Sequence, residues 1–180
     1  FVLPALLMAL ALTTGFTGGT ETIIKVTSRK DIITQNPFIY GFNAQLVRGP
    51  SLSDVNFLEQ VDSLHPGILR YPGGTVASYW DWKTGWFKKG LELKKDWSDM
   101  TRMPVLLEDL KQACQKTGAT PLFVLNMCNS TIDYQLEMLR HAKSIGLPVR
   151  FVELDNEVYL SEAVYTRRFA NGKAYALDCN

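Results

Sequence analysis

The residues with the clearest chemical potential stand together near position 155. Glu153, Asp155 and Glu157 alternate along one short segment, and Asn156 lies beside the last of them. Glycoside hydrolysis needs a carboxylic acid that protonates the departing oxygen and a second carboxylate opposite it. A neighbouring amide can bind a ring hydroxyl and keep the sugar in register. The pattern predicts that Glu157 is a general acid and that Asn156 binds substrate.

The same carboxylates also allow an interpretation without catalysis. Strand alternation would place all three on one face, where they bind a cation or pair with Arg70, Arg150 or lysines. His65 and His141 stand apart from these acids. Because no histidine or further carboxylate converges on the segment, the sequence predicts no metal and no cofactor. An ion-pair cluster remains an open alternative.

Strands and helices alternate around this segment. Apolar runs predict strands at 22–27, 38–46, 68–71, 121–125 and 149–154, whereas helical spacing predicts helices at 51–64, 102–116 and 131–145. Such alternation indicates an α/β fold with a parallel sheet, either open or closed as a (β/α)₈ barrel. No Gly-rich phosphate motif follows the first strand, which disfavours dinucleotide binding. Parallel folds place their sites at the carboxyl ends of strands, where Asn156 and Glu157 lie.

The helical segments carry cap and core signals. Ser51 or Ser53 is predicted to cap the first, Gly118 to end the second, and a last helix to start near Ser161. The residues predicted to face the core are Leu106, Leu107, Leu110, Ala113 and Cys114 in the second helix, and Ile132, Leu136, Leu139 and Ala142 in the third.

One connection, of about thirty residues after the strand at 68–71, is much longer than the usual loop. Its aromatic residues are Tyr79, Trp80, Trp82, Trp86, Phe87 and Trp97. A loop at the carboxyl end of a parallel strand is well placed for a site, and rigid aromatic rings suit stacking on sugars. We therefore predict that Trp80 and Trp82 contact substrate. The alternative is that part of this aromatic set only packs the loop onto the sheet.

Three motifs resemble, in order, those of the clan of retaining (β/α)₈ glycosidases that includes α-L-arabinofuranosidases and heparanase-like β-glucuronidases. Residues 40–43 (Tyr-Gly-Phe-Asn) resemble the first-strand motif Phe-Gly-Phe-Asn, and residues 69–75 (Leu-Arg-Tyr-Pro-Gly-Gly-Thr) resemble Leu-Arg-Trp-Pro-Gly-Gly-Asn. Residues 153–157 (Glu-Leu-Asp-Asn-Glu) resemble the Glu-Leu-Gly-Asn-Glu signature that ends the fourth strand. The resemblance covers roughly residues 38 to 178.

This resemblance implies a role for each matching residue. Glu157 would be the acid/base, Asn156 the hydroxyl-binding amide and Arg70 a brace for the site. The other residues expected at the substrate are Gly73, Gly74, Thr75 and Asn126. The nucleophile of these enzymes lies on the seventh strand, which implies that it lies beyond residue 180. Residues 20–180 would then be the N-terminal half of a (β/α)₈ TIM barrel, truncated after about the fourth strand and inactive alone.

Asp155 departs from the motif, because the clan has Gly at this position. Glycine allows a positive φ, which Asp tolerates better than most residues but at some cost. A carboxylate here also adds negative charge near Glu157, which would favour the protonated form of that acid. The departure predicts either tuned or lost activity.

The N-terminus indicates export. Residues 1–12 are almost wholly apolar, too few to cross a bilayer but suited to a secretory signal, so residues 1–19 are interpreted as a signal remnant. A buried N-terminal strand or helix is the alternative. Asn129 begins an N-glycosylation pattern, which agrees with secretion. A net charge of +1 predicts no nucleic-acid partner and no anionic membrane partner.

The sequence thus predicts a secreted retaining glycoside hydrolase whose partner is a poly- or oligosaccharide substrate. The alternative is a secreted, non-catalytic carbohydrate-binding protein derived from such a barrel, with Asp155 as the trace of lost catalysis. A hydrolase of another class on an open α/β fold is less favoured, because no Gly-x-Ser-x-Gly elbow is present.

Overall fold

A computed structural model of the chain describes residues 36–44, 47, 50–98 and 104–180. The strands are β1 (Gly41–Asn43), β2 (Ile68–Tyr71), β3 (Trp80–Asp81), β4 (Trp86–Phe87), β5 (Thr120–Leu125) and β6 (Phe151–Leu154). The α-helices are α1 (Val55–Ser63), α2 (Lys95–Ser98), α3 (Leu107–Thr117), α4 (Ile132–Ser144), α5 (Ala163–Arg168) and α6 (Gly172–Asp178). Two 3₁₀ helices span Pro37–Ile39 and Thr75–Tyr79. The predicted signal remnant and the predicted strand at 22–27 lie outside the described residues.

The main sheet has four parallel strands in the order β1-β2-β5-β6, which confirms the predicted mixed α/β fold with a parallel sheet. Asn43 pairs with Arg70, Arg70 with Leu122, and Leu122 with Phe151. Partners in a parallel ladder share a face, and so do residues two apart in one strand. Asn43, Arg70 and Glu153 therefore project from the same face of the sheet.

The opposite face of the sheet forms the hydrophobic core with the helices. Leu69, Tyr71, Phe123 and Leu125 are buried there in one continuous apolar cluster. Helix α3 contributes four of its five predicted core residues, whereas Leu106 lies just before the helix and is exposed. The burial of whole apolar side chains on this face is the main force that holds the helices to the sheet.

Helix α4 turns only part of its predicted face to the core, where Ala142 is buried and Leu139 packs against the cluster as predicted. Its buried residues are Gln135, Met138 and Ala142, while Ile132 and Leu136 are exposed. The reason is a polar contact, because the Gln135 Oε1 atom accepts a hydrogen bond of 2.9 Å from the backbone N–H of Asn126. That N–H is buried just after β5, and a buried donor must find an acceptor.

The helix termini follow local hydrogen bonding. Asp54, rather than Ser51 or Ser53, caps α1 by accepting a bond of 3.0 Å from the backbone N–H of Phe57. The two serine side chains instead bond to each other at 2.9 Å. Gly118 ends α3 at φ 69° as predicted, since a left-handed C-cap favours glycine.

The long connection after β2 is a folded layer. It contains the second 3₁₀ helix, the β3–β4 antiparallel ribbon and α2. Its rings pack on one another, with Phe87 stacked on Trp97 at 5.3 Å between centroids and Tyr79 edge-on to Trp97 at 5.4 Å. Of the helices in the described ranges, none combines the length and the apolar character that a membrane span requires.

Candidate active site

Polar side chains meet at the carboxyl ends of β1, β2 and β6, with Arg70 at the centre. Its Nε and Nη2 atoms donate to Glu153 Oε2 at 2.8 and 2.5 Å. Nη2 also donates to Asn156 Oδ1 at 2.9 Å, and Nη1 donates to Asn43 Oδ1 at 3.2 Å. One guanidinium group therefore ties three strand ends together, and its role as a brace for a substrate site stays a prediction.

Asn156 is buried and its amide is held from both sides. Its Oδ1 accepts from Arg70, and its Nδ2 donates to Thr75 Oγ1 at 3.2 Å. A Cβ atom at Gly74 would lie 3.1 Å from Asn156 Oδ1 and 3.4 Å from Arg70 Nη1. Gly73 has φ 136°, a value that favours glycine. The Gly73–Thr75 turn is thus packed against the side-chain amide of Asn156.

Glu157 follows directly and is exposed to solvent. Its Oε2 accepts from Asn156 Nδ2 at 3.2 Å, and its Oε1 accepts from the Tyr159 hydroxyl at 2.9 Å. Within the described part of the chain no salt bridge involves Glu157. The carboxyl group is oriented by two donors and remains accessible to a solute.

Tyr159 is a site residue that the sequence interpretation missed. The hydrogen bond to Glu157 and the negative charge of that carboxylate raise the pKa of the Tyr159 hydroxyl. The two residues lie in one turn, which the Leu160 N–H closes by donating to the Glu157 carbonyl at 2.9 Å, and no motif or periodicity in the sequence signalled this contact.

The three alternating carboxylates diverge, contrary to the one-face alternative. Strand geometry ends at Leu154, and Asp155 and Glu157 have φ values of 65° and 47°. Glu153 pairs with Arg70, Asp155 is buried against backbone, and Glu157 faces solvent. The ion-pair alternative therefore holds for Glu153 alone. Across the described residues no cluster of three or more His, Cys, Asp or Glu side chains could hold a metal ion.

Trp80 and Trp82 correct the prediction of sugar stacking. Their side chains are 4% and 8% exposed, so neither ring offers a free face. Trp80 Nε1 donates to the Tyr71 hydroxyl at 3.0 Å, and Trp82 Nε1 donates to the Tyr134 carbonyl at 3.2 Å. Both rings pack the long loop onto the sheet and α4, which was the alternative.

Asn126 is likewise part of the fold rather than of an open cleft. It is 2% exposed, its Nδ2 donates to the Trp80 carbonyl at 3.2 Å, and its Oδ1 accepts from the Asn129 N–H at 2.8 Å. The predicted substrate contact of Asn126 is therefore wrong. Asn129 Nδ2, the atom to which a glycan would be attached, donates to the Ser78 carbonyl at 2.7 Å, and glycosylation at this position stays a prediction.

A cavity of about 440 Å³ lies between the long loop and α5. Its lining includes Tyr79, Lys94, Glu162 and Arg167 but not Arg70, Asn156 or Glu157. These three residues lie instead at the open face of the sheet, from which Asn43, Arg70 and Glu153 project. We place the candidate site there, because an acid/base needs orientation and access more than a deep cavity.

The mixed α/β fold with a parallel sheet has a counterpart among solved structures. A family 51 α-L-arabinofuranosidase from Bifidobacterium longum matches with a TM-score of 0.52 at 18% identity, over 72% of this chain and 32% of that one. Enzymes of the same name from Thermotoga petrophila and Thermotoga maritima match at TM-scores of 0.49 and 0.47. Their identities are 21% and 24%, and they cover 72% and 66% of this chain against 33% and 30% of their own.

The Bifidobacterium likeness shows a shared fold. This chain spans about a third of the length of the solved structures that it matches. No protein-family profile matches the sequence, and no curated protein matches it.

Proposed function

We propose that this chain is the N-terminal half of a secreted retaining glycoside hydrolase, built on a (β/α)₈ barrel, with Glu157 as the general acid/base. The observation that carries the proposal is the orientation of Glu157 at the carboxyl end of β6. Two hydrogen-bond donors fix this carboxyl group, and no salt bridge in the described residues holds it. A group that exchanges protons with substrate and water must be both positioned and reachable.

The chemistry follows from this position. In the first step the Glu157 carboxylic acid donates its proton to the glycosidic oxygen as the bond to the anomeric carbon breaks, while a second carboxylate bonds to that carbon. In the second step the Glu157 carboxylate takes a proton from a water molecule whose oxygen attacks the anomeric carbon and releases the second carboxylate. Asn156 is buried and its amide bonds to Arg70, Thr75 and Glu157, which supports a role in orienting the acid, and its direct bond to a sugar hydroxyl stays a prediction.

The proposal assigns the second carboxylate to a strand beyond residue 180, at roughly 5–5.5 Å from Glu157 as retention requires. In the four-stranded sheet β1 and β6 are the edges, and four further strands between them would close a barrel. Residues 1–180 alone should therefore be inactive. The substrate class is a poly- or oligosaccharide, and the name of the Bifidobacterium neighbour makes α-L-arabinofuranosides the first substrates to test.

The non-catalytic alternative loses support from two observations. A carbohydrate-binding protein was expected to use the aromatic loop, but Trp80 and Trp82 are buried. Asp155 was its trace of lost catalysis, yet this side chain has a structural role that leaves Glu157 accessible. Both observations favour an enzyme over a binder.

The test is the leaving-group dependence of a Glu157→Gln variant of the full-length protein. Glutamine keeps the shape but cannot donate a proton as an acid, so hydrolysis of aryl glycosides with poor leaving groups should fall by about 10²–10⁴-fold. Substrates with activated leaving groups need little protonation and should lose far less in the glycosylation step. Glu92→Gln, in an exposed side chain outside the site, is the matched control and should leave both rates unchanged. Equal losses on both substrate types would refute the acid role.

Export is part of the same proposal. Residues 1–19 would be the remnant of a secretory signal, and Asn129 would carry a glycan. Secretion of the full-length protein from eukaryotic cells, with a glycosidase-sensitive mass shift that Asn129→Gln abolishes, is the expected result. An intracellular, unmodified product would overturn both assignments.

A further inference from the structure

The Asp155 carboxyl group accepts four hydrogen bonds from the residues that surround it. Its Oδ1 accepts from the Ser78 hydroxyl at 2.5 Å and from the backbone N–H of Asn156 at 2.8 Å. Its Oδ2 accepts from the backbone N–H groups of Met127 and Cys128 at 2.8 and 3.1 Å. The side chain is buried, and all four bonds end on one carboxylate.

These four donors come from three separate segments. Ser78 lies in the 3₁₀ helix after β2, Met127 and Cys128 follow β5, and Asn156 follows β6. The backbone of Asp155 adds a fifth hydrogen bond, since its N–H donates to the Leu125 carbonyl at 3.0 Å and extends the β5–β6 ladder. One buried anion therefore joins the loops that leave three of the four parallel strands.

Asp155 also fixes the backbone that presents the acid/base. Its φ of 65° ends the extended geometry of β6, and the next two residues are Asn156 and Glu157. The bond from the Asn156 N–H to Asp155 Oδ1 holds this turn from within. A backbone N–H bonded to a carboxylate is held more strongly than one bonded to a neutral acceptor.

Resting on the proposed function, we infer that Asp155 is the positioning residue for Glu157 and Asn156. Where the clan's motif has a glycine, this side chain ties the left-handed turn at residue 155 to the loops after β2 and β5. Its carboxylate contacts no substrate in this arrangement, because both oxygens are already used within the fold. The departure from the clan's motif is thereby assigned to orientation of the acid/base rather than to lost activity.

The experiment compares Asp155→Asn, Asp155→Gly and Ser78→Ala in the full-length enzyme. Asparagine tolerates the left-handed φ but presents an NH₂ group to donors, and glycine permits the φ but removes all four bonds. Displacement of an acid by about 1 Å costs about 100-fold in rate. Both Asp155 variants should therefore lose about 10–100-fold in kcat on poor leaving groups, with little loss on activated ones and little change in KM. Ser78→Ala removes one bond of four and should show the same pattern at a few-fold.

A merely structural role gives a different result. In that case the three variants lower the melting temperature but, assayed well below it, lose rate equally on both substrate types, and this outcome overturns the inference alone. If either Asp155 variant fails to fold, Ser78→Ala decides the matter, because a uniform loss there also overturns it. An inactive wild-type enzyme on all glycosides would instead overturn the proposed function, and the inference with it.

Discussion

The strand-end site and the aromatic loop are neighbours with opposite relations to solvent. At the site, Arg70, Asn156 and Glu157 form a polar chain that ends in an exposed carboxyl group. In the loop, Trp80, Trp82 and Trp97 are buried, although Trp80 and Trp82 were predicted to stack on sugar rings. Position at the end of a parallel strand is therefore a better indicator of an accessible site than the aromatic content of a long loop.

The two regions should accordingly respond to mutation in different quantities. Substitutions of the buried aromatic residues in the loop should lower the free energy of unfolding with little effect on the rate of the folded fraction. Site substitutions should lower the rate with little effect on unfolding. The following experiments test that division in order of expected effect, all in the full-length protein.

Trp80→Ala should have the largest effect on stability. It removes a buried ring and the hydrogen bond to Tyr71, and such core truncations cost about 3–5 kcal/mol. Chemical denaturation measures the loss. Tyr159→Phe, at a side chain 78% exposed, is the comparison and should leave the unfolding midpoint unchanged. A loss below about 1 kcal/mol for Trp80→Ala would return this ring to the list of candidate substrate contacts.

Arg70→Ala should have the next largest effect, and chiefly on rate. It leaves Glu153, Asn156 and Asn43 without the guanidinium group that aligns them, so kcat/KM should fall about 100-fold. The stability loss should stay near 1–2 kcal/mol, because the Glu153 side chain is partly exposed. Lys83→Ala breaks an exposed ion pair with Glu137 and is the matched control, with no expected change in rate. Unchanged kcat/KM for Arg70→Ala would exclude the bracing role.

Tyr159→Phe should lower the rate by about 10-fold, because it removes one of the two hydrogen bonds that orient Glu157. Only the bond to Glu157 Oε1 is lost, and Asn156 still holds the other oxygen. Steady-state kinetics on a poor leaving group measure the effect. Tyr40→Phe, whose hydroxyl bonds to the Leu64 carbonyl away from the site, should keep the wild-type rate. A Tyr159→Phe enzyme as fast as the wild type would show that this phenol is dispensable.

The smallest expected effect is on stability and concerns the contact between Glu108 on α3 and His141 on α4, which lies outside both regions. Burial is the largest single influence and acts to raise the pKa of Glu108, but the hydrogen bond to His141, a backbone hydrogen bond and the charges of His141 and Lys111 together leave that pKa below its ordinary 4.5. A depressed folded-state pKa stabilises the protein above the unfolded value, and this contribution is lost as the pH falls below 4.5. Glu108→Gln should lower the free energy of unfolding by a few tenths of a kcal/mol at pH 7, a small effect because the pair is exposed. It should have no effect at pH 3, where the carboxyl group is protonated in the folded and the unfolded protein. Equal effects at both pH values would refute the electrostatic origin.

Sequence reasoning succeeded where backbone pattern and position coincide. The bounds of β2 were predicted because an apolar run is closed by Pro-Gly-Gly, and Gly118 was predicted as a left-handed cap. The meeting of Arg70, Gly74, Thr75 and Asn156 followed from motifs at the ends of parallel strands.

It failed where long-range polar contacts decide. Gln135, on α4, faces the protein core because its side chain accepts a hydrogen bond from the Asn126 N–H after β5. The apolar periodicity of the helix does not reveal this contact. The Asn126 side chain is fully engaged in hydrogen bonds with the backbone of residues 80 and 129. The Asp155 carboxyl group is engaged by donors from three loops. Most of those partners are distant in sequence. The residue type therefore predicted that each side chain forms hydrogen bonds, but not with which groups.

The most direct test of the central claim, that Glu157 is the acid/base, is azide rescue of Glu157→Ala in the full-length enzyme. With an activated aryl glycoside the glycosyl-enzyme forms, but water attacks it slowly because no base remains. Azide needs no base, so it should restore turnover of the variant, leave the wild type unaffected and yield a glycosyl azide with the anomeric configuration of the substrate. A variant that hydrolyses as fast as the wild type, or that azide does not accelerate, would contradict the assignment of Glu157.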